Sequence, residues 1–184
     1  MGRAVNGWKN TLSQEPEHAA NDQFTESMLD CDINKYWSTP SPNGYRCNRS
    51  PFWRVISCVA NHFFPENWPE HIAWTNLYKV APAKEGNPSG YVRATQLKTC
   101  DAILCKEIEL LSPKYIVFLT GNWAKDFSIY QTLQENGQNV LSKKWGKYIA
   151  KSWISCGRTY ILSEHPQGKP EGAHISTLIS LMNN

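Results

Sequence analysis

The sequence has few charged residues and no long apolar run, and each shortage excludes a class of protein. Asp, Glu, Lys and Arg make up only 19% of the 184 residues, and the net charge is +3. Such a small excess is compatible with a nucleic-acid partner only where the basic residues cluster. No stretch approaches the roughly 20 apolar residues that a membrane span needs, so we expect no membrane segment. The first ten residues also lack the apolar core of a signal peptide.

Paired metal-binding cysteines are missing too. None of the six cysteines has C-x-x-C spacing, and the nearest metal-like combinations are Cys58 with His62 and Cys100 with Cys105. We interpret the cysteines as scattered buried thiols, which behave as small hydrophobic side chains. The cysteines therefore predict a reducing, cytoplasmic location and no metal ion. We also expect no cofactor and a monomeric protein. No predicted strand end carries the clustered Asp and Glu of a metal-dependent nuclease.

The residues that are present predict one folded domain over residues 1–184. Hydrophobic residues reach 41% and aromatic residues 12%, which is enough for a core, and there is no internal repeat. Apolar spacing predicts helices at 22–31, 51–64, 93–111, 123–134 and 171–182, and strands at 71–80, 115–119, 148–153 and 159–162. Residues 136–144 are interpreted as a polar connection. This alternation predicts an α/β three-layer sandwich with a central, mostly parallel four-stranded sheet.

Ligands of open α/β sheets bind beyond the carboxyl ends of the strands. That rule selects Thr75-Asn76, Gly121-Asn122 and residues 165–168, together with the glycine-flanked turn at residues 2–7.

These segments resemble signatures of the uracil-DNA glycosylase superfamily. The sequence WTNLYKVAP at 74–82 is similar to its T-N segment with a following Lys and Pro-rich loop. Residues 100–119 resemble the helix, Pro and buried strand that come next, and His165-Pro166 resembles the second signature. The F-W-R at 52–54 is similar to that of the mismatch-specific branch, and residues 2–7 stand at the first signature turn. Together these motifs cover nearly the whole chain in order.

The resemblance implies a role for three distant residues. A glycosylase extrudes a base from DNA, reads its edge and stabilises the departing pyrimidine anion. Asn76 would read the edge, since an amide offers both a donor and an acceptor. His165 would stabilise the charge on O2 of the base, and Phe52 would stack on its ring. The alternatives are an Asn that ends a strand, a surface His before a Pro turn, and a core Phe.

Two further groups are expected to contact the substrate. Gly2 and Ala4 would line the base pocket. Gln167, Gly168 and Lys169 would press into the duplex beside the extruded nucleotide, although an ordinary surface turn would look similar. Lys143 and Lys144, with the neighbouring Trp145, are interpreted as a DNA-facing strip or as a merely solvated face.

The first turn departs from the family pattern. Ala4 stands where the family usually has a carboxylate or amide that orients the attacking water, which leaves Asn6 as the nearest catalytic substitute. Glu15, Asp22 and Glu26 are fallback candidates. Asn6 also stands where strict uracil enzymes have a Tyr that excludes substituents at C5 of the pyrimidine. The smaller side chain therefore predicts a 5-substituted base, such as a hydroxymethylated or larger phage-type pyrimidine.

The sequence thus favours a monofunctional DNA glycosylase in base excision, serving DNA repair or defence against phage with modified DNA. A second hypothesis is a member of the superfamily that binds DNA or a nucleotide and has lost hydrolysis through Ala4. The paired cysteines of the iron–sulfur branch are absent ahead of the first turn, so no cluster is expected. The family also has a central strand before that turn, whereas this sequence begins at the turn itself.

Overall fold

The computed structural model describes residues 2–4, 47–80 and 86–183. The helix predicted at 22–31 lies outside these residues. The helices are α1 (Pro51–Phe63), α2 (Gly90–Leu111), α3 (Ser128–Asn136) and α4 (Glu171–Met182). The strands are β1 (Gly2–Ala4), β2 (Asn76–Tyr78), β3 (Tyr115–Leu119), β4 (Gln138–Trp145), β5 (Tyr148–Ser155) and β6 (Arg158–Ser163).

The strands form two small sheets. In the first, β1 and β2 pair in parallel. In the second the order is β3-β6-β5-β4, with β3 and β6 parallel and both other pairings antiparallel. The prediction of a mostly parallel four-stranded sheet is therefore wrong, because the four-stranded sheet is mixed and mainly antiparallel. β1 of the first sheet lies close to β3 of the second.

Two tight turns explain the antiparallel half of the sheet. Trp145 pairs with Tyr148 across Gly146 and Lys147, and Gly146 has a φ of 60°. Cys156 and Gly157 join β5 to β6, with φ values of 49° and 71°. Two-residue loops with positive φ match the twist of antiparallel strands, and glycine adopts that conformation without strain. Each turn therefore reverses the chain at once, without the crossover helix that a parallel pair requires.

The polar segment at residues 136–144, which was predicted to be a connection, largely forms strand β4 before the turn at Gly146. All of β4 except Lys143 and Trp145 is exposed, because β4 is the edge strand of the sheet. Without a buried face, its sequence shows no apolar alternation.

The core lies on both faces of the mixed sheet. On one face, α2 and α3 pack residues such as Leu104 and Tyr130 against Phe118 and Trp153 of the sheet. On the other face, α1 and α4 pack against alternate residues of the same strands, including Leu119, Ile161 and Trp145. Because β3 and β6 are parallel neighbours, the chain segments that follow them lie at one end of the sheet, between the two helical layers. Among the described residues, no helix is both long and apolar enough to cross a membrane.

Candidate active site

The loop after β6 fixes the ring of His165. The backbone N–H of Gln167 donates to Nδ1 of His165 at 3.3 Å. Because Nδ1 accepts, the neutral imidazole carries its proton on Nε2 and presents that atom as a donor. Residues 166–169 form a β-turn closed by Lys169 N to Pro166 O at 3.0 Å. Gly168 supplies the positive φ of 70° that this turn uses.

Lys169 holds the same loop in place. Its Nζ donates to the backbone carbonyl of His165 at 2.8 Å and lies 5.2 Å from the ring centroid of Tyr148. The resemblance implied that Gln167, Gly168 and Lys169 press into the duplex, which stays a prediction. In the structure the Lys169 amine fixes the His165 backbone, and Gln167 and Gly168 lie exposed at the tip of the turn.

Phe52 and His165 are brought together although they are far apart in the sequence. Their rings are stacked, with centroids 6.0 Å apart and an angle of 21°. An ion pair stabilises this approach: Arg54, two residues after Phe52, binds both carboxylate oxygens of Glu171 at 2.8 and 2.5 Å. Glu171 begins α4, directly after the His165 loop. Phe52 is only 7% exposed, so it is a core residue as well as the neighbour of His165.

Asn76 is a buried amide without a hydrogen bond on its nitrogen. The side chain is 2% exposed, and Nδ2 has no partner among the described residues. A buried donor left unpaired costs about 1–3 kcal/mol, so such a group commonly binds an ordered water or a ligand. Asn76 is the first residue of β2 and lies in register with Gly2, and Ala4 lies in register with Tyr78.

Trp74 connects Asn76 to the aromatic pair. Its ring lies 6.4 Å from that of Phe52 and 5.5 Å from that of Trp53. Two residues span at most about 7 Å, so the backbone of Asn76 is close to this cluster. Trp74 therefore links the start of β2, where Asn76 lies, to the stacked pair of Phe52 and His165.

A partly buried charge network holds the backbone beside Asn76. Nζ of Lys79 donates to Oγ1 of Thr75 at 2.5 Å and to Oε1 of Glu107 at 2.8 Å. The Thr75 hydroxyl also donates to that carboxylate at 3.0 Å. Since Glu107 lies on α2, the network ties both sides of Asn76 to a helix. Thr75 belongs to a predicted strand-end segment, whereas no pattern in the sequence points to its distant partner Glu107.

The two lysines predicted to form a DNA-facing strip lie on opposite faces of β4. Nζ of Lys143 donates to the Ser180 hydroxyl and, at 3.3 Å, to the Ser180 carbonyl near the end of α4. Its ammonium is therefore engaged inside the protein. Lys144 points to the other face and is exposed, as are Lys147 and Lys151. The predicted catalytic Asn6 and the fallback residues Glu15, Asp22 and Glu26 lie outside the described residues.

His174 is a buried residue near the candidate site, and no pattern in the sequence pointed to it. It is fully buried, its Nε2 lies 2.8 Å from Oγ of Ser163, and its ring stacks on Trp145 at 3.9 Å. Ser163 ends β6, so this contact secures the strand just before His165. Burial lowers the pKa of His174 to about 4, and the positive charges of Lys169 and His165 act in the same direction.

The low pKa of His174 predicts a stability loss in acid. The unfolded histidine titrates near 6.5, so between pH 6.5 and about 4 the unfolded chain binds a proton that the folded chain excludes. We expect the free energy of unfolding to fall by roughly 3 kcal/mol over this window. Urea titrations of the wild type and of His174→Phe, which keeps an aromatic ring, measure the effect. Equal pH slopes for the two proteins would show that His174 is not the cause.

The candidate site thus consists of the His165 imidazole with its proton on Nε2, the aromatic cluster of Phe52, Trp53 and Trp74, and the unpaired amide of Asn76 two residues after Trp74. Among the residues that the structure describes, no group of His, Cys, Asp and Glu is arranged to hold a metal ion. Such a set of groups can recognise the edge and face of a planar polar ring and stabilise negative charge on it. No protein family model, curated protein or solved structure matches this chain.

Proposed function

We propose that this protein binds DNA and hydrolyses the N-glycosidic bond of a pyrimidine that is flipped out of the helix. The observation that carries the proposal is the buried, unpaired Nδ2 of Asn76, two residues after Trp74, whose ring contacts Phe52 in its stack with His165. A base has ring carbonyl oxygens that accept from an amide nitrogen, and a planar face that packs against aromatic rings.

His165 carries the chemical step in this proposal. As the bond between C1′ of the sugar and N1 of the base breaks, its electron pair moves onto the base and spreads to O2. The Nε2–H of His165, fixed by the Gln167 hydrogen bond, donates to that oxygen. A preorganised donor of this kind lowers the barrier because it does not reorient during the reaction.

The hairpin of β4 and β5 is the proposed contact with the DNA backbone. Residues 138–155 contain four lysines and no acidic residue. Lys144 lies opposite Ile149, and Lys151 lies opposite Ser142, so both lysines share the exposed face of the hairpin. Exposed ammonium groups that neutralise phosphates release counterions and give salt-dependent affinity.

Reversing these two charges tests the DNA-binding surface. We expect Lys144→Glu with Lys151→Glu to weaken DNA affinity at least about 10-fold, and to lower the slope of log affinity against log salt by about 2. Fluorescence anisotropy at several salt concentrations measures both quantities. Lys98→Glu with Lys125→Glu, two exposed lysines elsewhere, is the matched control. An equal loss in both double variants would mean that only net charge matters.

The proposed substrate is a 5-substituted pyrimidine, and the proposed setting is a cytoplasmic monomer acting in base excision or in phage defence. Single-turnover assays on oligonucleotides that carry uracil, 5-hydroxymethyluracil or 5-hydroxymethylcytosine test the activity. Alkali-labile strand breaks at the modified position, without a lyase product, support the proposal. If no base is released from any of these oligonucleotides or from phage DNA with larger modifications, the proposal is wrong.

A binding protein without hydrolysis is the second candidate. Ala4, at the usual position of the family's water-orienting group, is the observation that favours it. This candidate predicts selective binding to DNA with a modified base but no release of that base over many hours.

A further inference from the structure

We infer that Glu164 is the carboxylate that positions and deprotonates the attacking water. This inference rests on the proposed function. It assigns the role of the water-orienting carboxylate, which Ala4 in the turn at residues 2–7 cannot fill. Glu164 lies between Ser163, the last residue of β6, and His165. The proposed general base and the proposed anion stabiliser would therefore come from adjacent residues of one strand end.

The geometry places the Glu164 carboxylate against the backbone that follows β3. A Cβ atom added at Gly121 would lie 2.7 Å from Oε2 and 3.3 Å from Oε1 of Glu164. Only a glycine leaves room for the carboxylate at this distance, and Gly121 also has a positive φ of 58°. Because β3 and β6 are parallel neighbours, the carboxylate lies at their shared carboxyl end, where ligands of parallel strands bind.

This carboxylate is available for chemistry. Glu164 is partly exposed, and none of the described residues makes a hydrogen bond or an ion pair with it. Three other carboxylates that lie near the sheet are already hydrogen-bonded, namely Glu107, Asp126 and Glu171. Of the carboxylates described at this end of the sheet, Glu164 is thus the one that can accept a proton from water without losing a partner.

The step balances without another reactant. The water oxygen attacks C1′ as the bond between C1′ and N1 breaks, and the electron pair of that bond leaves with the base. One water proton passes to Glu164, and the hydroxyl stays on C1′ of the abasic sugar. The proton then moves from Glu164 through solvent to the pyrimidine anion, which leaves as the neutral base.

Charge-neutral replacement of Glu164 separates chemistry from binding. We expect Glu164→Gln to lower the single-turnover rate of base release about 10²-fold. Its affinity for DNA with a non-hydrolysable 2′-fluoroarabino pyrimidine should stay close to that of the wild type. In Glu164→Ala, added formate should restore the rate about 10-fold, since it supplies the missing carboxylate. Glu66→Gln, an exposed and distant change, is the matched control for the lost charge.

The outcomes distinguish the inference from the proposed function. If the wild type releases a base and Glu164→Gln does so within twofold of its rate, Glu164 is not the base, whereas the glycosylase proposal stands. The same holds if Glu15→Gln, Asp22→Asn or Glu26→Gln abolishes release and formate fails to rescue Glu164→Ala. If the wild type releases no base from any DNA, the proposed function is wrong and this inference is wrong with it.

Discussion

We expect His165→Ala to lower the single-turnover rate of the proposed base release by about 10²–10³-fold, which is the loss typical of one preorganised donor to a developing anion. The ring is the group affected, because its Nδ1 accepts from the Gln167 backbone N–H, so the neutral imidazole carries its proton on Nε2. Binding of the undistorted substrate should change little, since the interaction strengthens only as charge develops on the base. Rapid-quench assays under enzyme excess measure the rate.

An exposed histidine provides the control for this experiment. His71 lies on the surface and stacks on Phe64, away from the His165 loop. His71→Ala should keep the wild-type rate. A His165→Ala protein that is folded and retains full activity would remove the imidazole from the mechanism.

The second large effect is expected for Asn76→Ala, which should reduce base release strongly while changing the free energy of unfolding little. Asn76→Ala should lower base release at least about 10²-fold, because the base loses the hydrogen-bond partner that its site is built to supply. The free energy of unfolding should change by less than about 1 kcal/mol, since Nδ2 makes no hydrogen bond in the folded protein. Urea unfolding and the single-turnover assay are run on the same preparation.

Ser163→Ala is the matched control for Asn76→Ala. It also removes a buried polar group, but one that lies 2.8 Å from Nε2 of His174, so it should cost about 1–3 kcal/mol of stability. If Asn76→Ala is instead the more destabilising change and leaves base release intact, Asn76 is a structural residue at the start of β2.

The sequence predicted the elements whose buried faces repeat regularly. Strand β3 and helix α4 have the predicted bounds, and α1 ends one residue earlier than predicted, since apolar spacing or a continuous apolar run marks each of them. Strand β4 was missed because its edge position leaves most of it exposed. The mixed sheet was not predicted, because its antiparallel half depends on two tight turns, at Gly146 and at Cys156-Gly157. These turns reverse the chain through positive φ values, which residue types alone do not fix.

The candidate site was predictable only in part. His165 and Asn76 were selected as candidates because a short motif surrounds each of them. Their hydrogen-bonding states were not predictable, since these depend on the turn at 166–169 and on the burial of β2. For Lys143 the sequence pattern was misleading. It lies in a basic run that suggested a DNA-facing lysine, but its ammonium donates to Ser180 near the end of α4, far along the chain.

The central claim is that Asn76, Phe52 and His165 hold one pyrimidine. A crystal structure of the protein with DNA that contains a 2′-fluoroarabino 5-hydroxymethylpyrimidine tests it most directly. We predict the base outside the duplex, with a ring acceptor within hydrogen-bond distance of Asn76 Nδ2, O2 facing His165 Nε2, and the ring beside Phe52. A base that stays stacked in the duplex, or that binds away from these three residues, would contradict the account.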